Sequence, residues 1–270
     1  MHMAYLRTSD NKSIYYEYYP GRGPAVVLVH GWGLSVRAWD TTLNALINKG
    51  HAVVAFDQRA CGKSDMDFQS ASIEDGAGDV VNLVKSLGLR EVVLNGWSQG
   101  GAVAVEAARQ LGAVCKGLVL TCAAAPRYTN GAGFTAGVQQ ADLDGMATAF
   151  RRDKAATSLA VATACFAPGR PANDIEWVQR MFLETGPMAL QTLEALGPLD
   201  QREVMKTLKV PTLIIAGEVD SVTPLGLAQA SHELIAGSHL AVLSGCAHVP
   251  MVEGFDEYHA TLFNFIDNKD

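Results

Sequence analysis

Short, continuous apolar runs alternate along the chain with longer stretches of helical period. Ala25–Val29, Ala52–Phe56, Val92–Leu94, Leu118–Thr121, Thr212–Ala216 and Leu240–Leu243 are runs of the first kind, the pattern of strands buried on both faces. Between them, Trp39–Ile47, Ile73–Leu87, Ala102–Leu111, Leu225–Ile235 and Glu257–Ile266 read as helices. Val80, Leu83, Val84 and Leu87, for example, share one face. Strands alternating with helices predict a parallel sheet covered by helices on both faces. Near the start, Tyr5–Thr8 and Ser13–Tyr19 read as two strands joined by the polar turn Ser9-Asp10-Asn11-Lys12. The rhythm breaks after Pro126. From there to residue 207 only helical stretches are found: Leu143–Phe150, Ala156–Ala164 and Asp174–Leu183. The expected organisation is one α/β domain, residues 1–126 and 208–270, interrupted by a helical insert, residues 127–207.

The run Val92–Leu94 leads into NGWSQGG, residues 95–101, which sets Ser98 between glycines. Glycine is costly inside a strand or helix, so a cluster of three around one serine has a steric cause. The pattern G-x-S-x-G between a strand and a helix is that of a nucleophile held on a sharp turn. A serine hydroxyl is a weak nucleophile and needs a base to take its proton and an acid to orient that base. In folds of this type the order is Ser, then Asp or Glu, then His, each just beyond a strand.

Seven histidines compete for the role of base. His2 is terminal; His51 and His239 precede strands and so stand at the wrong edge. His232 and His259 lie in helices, where a solvated surface position is expected. His30 ends a strand but comes before Ser98 in the chain, which suits a structural imidazole fixing the next turn. His248, after the strand Leu240–Leu243, stands where the order requires. The acid should follow Thr212–Ala216, where Glu218 and Asp220 are both eligible, although either could cap the helix after Pro224. Acyl transfer also needs donors for a developing oxyanion. The Gln99 amide, at the mouth of the helix after Ser98, is one. The Trp32 amide, in the glycine-flexed turn His30-Gly31-Trp32-Gly33, is the other.

Composition narrows the class. The chain has 270 residues, 49% hydrophobic and 18% charged, with a formal net charge of −7. Such a chain builds a sizeable globular core. Its only basic cluster is Arg151-Arg152-Asp153-Lys154, so a nucleic-acid partner is disfavoured. No apolar run reaches the ~18 residues of a membrane span, and no signal peptide is expected. Five cysteines without a C-x-x-C pair read as reduced, buried thiols of a cytoplasmic protein, and their spacing gives no reason to expect a metal.

With the turns in view, the chain resembles the α/β-hydrolase superfamily over essentially its whole length. The matching pieces are VLVHGWG (27–33), FDQRACGKSD (56–65), NGWSQGG (95–101), PTLIIAGEVDSVTP (211–224) and GCAHVPMVE (245–253). The resemblance implies a cofactor-free serine hydrolase with a mostly parallel, eight-stranded sheet and a helical lid inserted after strand 6. The match of GEVDSVTP puts the triad carboxylate on Asp220. DLDGMATAFRRDKAA (142–156) is similar to the lid of cofactor-independent haloperoxidases, and HGWGLSVRAW (30–39) looks like the carrier-protein methyl esterases of biotin synthesis. Haloperoxidase-like members usually carry proline where Gly33 stands, which puts peracid formation in doubt. Epoxide hydrolases and dehalogenases need an aspartate at the place of Ser98.

The expected activity is cleavage of a small-molecule carboxylic ester or lactone. A carbon–carbon bond hydrolase of ring-cleavage products is the alternative on the same triad, with Arg127 as the residue to hold a substrate carboxylate. A slow-turnover ligand receptor is the alternative from another class. Phe134, Met146, Phe150, Trp177 and Met181 are candidates to line the pocket, with Phe166, Phe182 and Met188 dividing between pocket and packing.

Overall fold

The computed structural model describes residues 2–268, without the side chain of His2. Eight strands form one sheet: β1 (His2–Arg7), β2 (Ser13–Tyr19), β3 (Arg22–Val29), β4 (His51–Phe56), β5 (Val92–Trp97), β6 (Cys115–Thr121), β7 (Thr212–Gly217) and β8 (His239–Leu243). Their spatial order is β1-β2-β4-β3-β5-β6-β7-β8. β1 pairs antiparallel with β2, and β2 with β4; every other pair is parallel. The chain runs from β3 outward to β4, then crosses back to β5. That reversal opens a crevice beyond the strand ends, between β3 and β5.

The continuous apolar runs are explained by cover on both faces. In β4, β5 and β7 every residue is buried, and side chains alternate between two cores as the period of two requires. Val27 and Val29 of β3 join one core with Val80 and Leu83 of α2 (Ile73–Ser86) and Val103 of α3 (Gln99–Leu111). Val26 and Leu28 join the other, with Leu43 of α1 (Asp40–Asn48) and Tyr258 and Leu262 of α11 (Phe255–Asp267). α2 starts at a reciprocal cap in which Ser72 and Asp75 satisfy each other's backbone amides. At the sheet's far edge β8 is only partly covered, and Val242 is exposed.

Between β6 and β7 the chain forms α4 (Gln140–Arg152), α5 (Lys154–Ala164), α6 (Ala172–Glu184), α7 (Ala189–Glu194) and α8 (Arg202–Thr207). The first three were legible from periodicity; α7 and α8 are each 6 residues long and too short to show it. After β7 come α9 (Leu225–Leu234) and, after β8, α10 (Pro250–Glu253). One expectation fails. His259 is not solvated: it is buried, with Nδ1 at 2.7 Å from the Phe255 carbonyl and Nε2 at 3.2 Å from Thr42 Oγ1. Its place beside Tyr258 and Leu262 puts it on the covered face of α11, which closes over β5. No helix among the described residues is long and apolar enough to cross a membrane.

Candidate active site

Ser98 stands between β5 and α3 with φ 58° and ψ −126°, a left-handed conformation that a residue with a Cβ adopts only under constraint. The constraint is visible in the glycines. A Cβ on Gly96 would lie 2.3 Å from the Gly100 carbonyl oxygen, and one on Gly100 would lie 2.3 Å from the Val29 carbonyl oxygen. Only bare backbone lets α3 turn this sharply off β5 while lying against the end of β3. The turn is fastened by the Ser98 amide donating to Thr121, and by the amides of Gly101 and Ala124 donating to Ser98 O. Beneath it, Asn95 donates to Tyr258 Oη and accepts from Thr121 Oγ1, so the buried polar groups are paired.

His248 is buried in the turn after β8, and Asp220 in the turn after β7. Nδ1 of His248 lies 2.8 Å from Asp220 Oδ2. Asp220 also accepts from the amides of Val222 (2.8 Å) and Thr223 (2.9 Å) on Oδ1 and from Thr223 Oγ1 (2.7 Å) on Oδ2. Burial pushes this carboxyl's pKa upward, but His248 and the donors of Thr223 outweigh it, and the net shift is downward. An ionised carboxylate facing Nδ1 fixes the ring with its proton on Nδ1 and Nε2 as the acceptor. Glu218, the rival acid, is exposed and turned elsewhere: it accepts from Ser244 Oγ (2.8 Å) and the Gly245 amide (2.9 Å), tying together the turns after β7 and β8.

Several residues that hold this arrangement were not singled out in the sequence. Trp97, buried, donates from its indole to the His248 carbonyl at 2.7 Å. Glu253 Oε2 accepts from the amides of Ala247 (3.0 Å) and Val249 (3.2 Å), gripping the chain on both sides of His248. The His248 amide donates to the Cys165 carbonyl at the end of α5. Thr223 Oγ1 lies 3.1 Å from His248 Nδ1 and 3.0 Å from the Cys122 carbonyl, linking three turns.

The loop after β3 is held from below. His30 is wholly buried; its Nε2 accepts from the Gln58 amide at 2.9 Å and its Nδ1 donates to the Gly31 carbonyl at 2.7 Å. Burial pushes the ring's pKa down to about 4, so it is neutral and structural. Gln58 Nε2 bridges the His30 carbonyl and Gln99 Oε1. The carboxylate of Asp57 accepts from the amides of Val36 (2.6 Å) and Lys63 (2.8 Å), locking the loop after β4 to the loop after β3; burial raises it to about 6. Gln99 opens α3, where the first amides have no acceptor within the helix. The loop that carries Trp32 passes against the serine turn, since a Cβ on Gly31 would lie 3.1 Å from Ser98 Cβ.

Of the pocket candidates, Phe150 meets Trp32 edge to face with ring centroids 4.9 Å apart, and Phe182 lies 5.6 Å from the same indole. Trp32 Nε1 donates to the Ala189 carbonyl on α7. Met181 is buried and Trp177 half-buried in the core on the α1 and α11 side, which also holds Phe166. Phe134 is buried under the Arg202 guanidinium, 6.0 Å away, and Met146 and Met188 pack at the margin of the opposite core. Arg127 is committed to Asp200 at 3.4 Å and to the Thr129 carbonyl at 3.0 Å.

Residues 26–261 match the alpha/beta hydrolase family. The chain is 29% identical to a non-heme haloperoxidase of Rhodococcus erythropolis, covering 98% of this chain and 100% of the relative. It is 26% identical to a pimeloyl-[acyl-carrier protein] methyl ester esterase of Nitrosospira multiformis, covering 91% and 95%. Among solved structures it superposes on an esterase from Exiguobacterium antarcticum with a TM-score of 0.94 and 27% identity, over 98% of this chain and 99% of that one. Fold, turn geometry and these matches agree: the chain belongs to the alpha/beta hydrolase family.

Proposed function

We propose that this protein is a serine hydrolase that cleaves carboxylic esters or lactones through an acyl-enzyme on Ser98. The observation that carries the reading is the 2.8 Å contact between His248 Nδ1 and Asp220, made at the sheet edge where the glycine-flanked turn holds Ser98. Family membership and the likeness to an esterase support hydrolase activity. In this mechanism Nε2 of His248 takes the Ser98 proton as Oγ attacks the ester carbonyl. Asp220 stabilises the imidazolium, and the amides of Trp32 and Gln99 receive the oxyanion. His248 then gives its proton to the leaving alcohol, and water releases the acyl group by the same steps in reverse.

Residues 127–207 act in this reading as a cap over the core formed by 1–126 and 208–270. The packing of Phe150 and Phe182 on Trp32 supports that role, and it suits an apolar acyl group of short to medium length. The commitment of Arg127 to Asp200 leaves the carbon–carbon hydrolase reading without its carboxylate anchor. The test is a chain-length series of p-nitrophenyl esters run beside a lactone panel, with Ser98→Ala as the control. Turnover should peak at short to medium acyl groups and vanish in the variant, while the fold persists because the glycines set the turn. Near-wild-type turnover in Ser98→Ala would overturn the mechanism. A burst of one equivalent without steady turnover would mark a receptor.

A further inference from the structure

Cys122 has no part in acyl transfer, yet it lies against the pair that does. It follows β6 directly, with φ at 41°, in the turn facing those of Asp220 and His248. Its Sγ, a carboxylate oxygen of Asp220 and a ring nitrogen of His248 lie within 4.8 Å of one another, and all three residues are buried. Among the described residues this is the one group of three ligating side chains so close together. Thiolate, imidazole and carboxylate together are a donor set for zinc and its softer congener cadmium. Bonds of ~2.0–2.3 Å around tetrahedral zinc set ligand atoms about 3.3–3.8 Å apart, so the three atoms need shift by about 1 Å or less. The Thr223 hydroxyl lies beside the group, 2.7 Å from Asp220 Oδ2 and 3.1 Å from His248 Nδ1.

We propose that Cys122, Asp220 and His248 form an inhibitory site for a thiophilic divalent cation such as Zn²⁺ or Cd²⁺. Binding stands on the geometry alone; inhibition rests on the function proposed above. At rest the Cys122 thiol lies 3.7 Å from the Ala247 carbonyl, to which it donates, and Asp220 holds the Nδ1 proton. When the cation binds, the thiol proton leaves to solvent and the cation takes Nδ1. The proton from Nδ1 moves to Nε2, so the ring stays neutral and one proton is released per cation. A ring protonated on Nε2 has no lone pair for the Ser98 hydroxyl. Inhibition therefore comes from a change of tautomer as well as from the loss of Asp220. The entry path is short: Glu218, Val219 and Ser221, around Asp220 in its turn, are exposed.

The experiment adds cadmium chloride to tag-free protein and follows thiolate-to-cadmium charge-transfer absorption alongside p-nitrophenyl acetate turnover. One equivalent should produce the band and stop turnover, a chelator should reverse both, and zinc chloride should inhibit likewise. Cys122→Ser should keep turnover, lose the band and need at least tenfold more cation for inhibition. Cys122→Ala runs in parallel in case serine disturbs the buried turn. In the wild-type protein, the imidazole nitrogen resonances of His248 should move from the Nδ1–H to the Nε2–H form as cation is added. Ser98→Ala should bind cadmium as tightly as wild type. Binding there, with wild-type turnover untouched by bound cation, would refute the proposed role of His248 rather than the site. A missing band at one equivalent, or undiminished inhibition in both Cys122 variants, would overturn the site itself.

Discussion

Thr223→Val removes the hydroxyl that lies 2.7 Å from Asp220 Oδ2, 3.0 Å from the Cys122 carbonyl and 3.1 Å from His248 Nδ1, in the arrangement that orients His248. Asp220 accepts four: the amides of Val222 and Thr223 on Oδ1, and Thr223 Oγ1 and His248 Nδ1 on Oδ2. Valine keeps the shape of threonine, so the variant opens no cavity and removes one donor. A hydrogen bond to a charged group contributes about 1.5–3 kcal/mol, and each ~1.4 kcal/mol is a factor of ten in rate. The bond exists in the resting enzyme as well, so only the part that grows as the imidazolium forms reaches kcat; the remainder reduces stability. The expected result is a fall in kcat of about tenfold, with KM unchanged because Thr223 is buried against Asp220 and His248. Thr223→Ser, which restores the hydroxyl, should recover most of the loss. Steady-state kinetics with a p-nitrophenyl ester reads both numbers. A kcat within twofold of wild type in Thr223→Val, or equal losses in the valine and serine variants, would refute an orienting role for the hydroxyl.

Two further predictions separate neighbouring groups. Asp220→Asn should lower kcat by about 10⁴-fold, as loss of the acid does in other serine hydrolases, whereas Glu218→Gln should stay within about tenfold; the reverse pattern would make Glu218 the acid. Burial holds His30 down at about 4 and Asp57 up at about 6. As pH falls from 6.5 toward 4, the unfolded chain gains the His30 proton first, which costs about 3 kcal/mol, while the folded chain gains the Asp57 proton first and recovers a similar amount. Asp57→Asn removes only the second effect, so its urea midpoint should fall more steeply with acid than that of wild type; parallel slopes would contradict the assignment.

The strand framework was legible because a strand buried on both faces leaves little room for polar residues, and β3, β4, β5 and β7 read as near-continuous apolar runs. The serine turn was legible for a steric reason: Gly96 and Gly100 are the places where a Cβ would strike backbone. What escaped was whatever depends on three turns meeting. Cys122 carries no local signal, and although Thr223 meets Asp220 within one turn, its contacts to the Cys122 carbonyl and to His248 join turns distant in sequence. Glu253 grips Ala247 and Val249 within one stretch of chain, but its bond to the Ala167 amide joins that stretch to the insert, and nothing local announces it. His259 is different. Its period with Tyr258, Leu262 and Ile266 marked the covered face of α11, and reading its residue type ahead of its position gave the wrong answer.

Gly33 bears on how far the likeness to haloperoxidase-like relatives extends. Its φ is +68°, whereas proline is confined near −65°, so the proline common at this place in that group does not fit the loop as it stands. A Cβ here would also lie 2.7 Å from Phe182 Cδ1, so the ring of α6 occupies the space a side chain would need. The glycine and the phenylalanine are one solution to packing the insert on the loop after β3. Trp32 joins the same contact from the loop: its indole is fixed by the Ala189 carbonyl on α7 and touches Phe150 and Phe182. A change in the insert is thus transmitted to a proposed oxyanion donor through a single residue. Under the proposed mechanism substrate preference and rate would be coupled at Trp32, and substitutions at Phe150 or Phe182 should move kcat together with acyl-chain selectivity rather than selectivity alone.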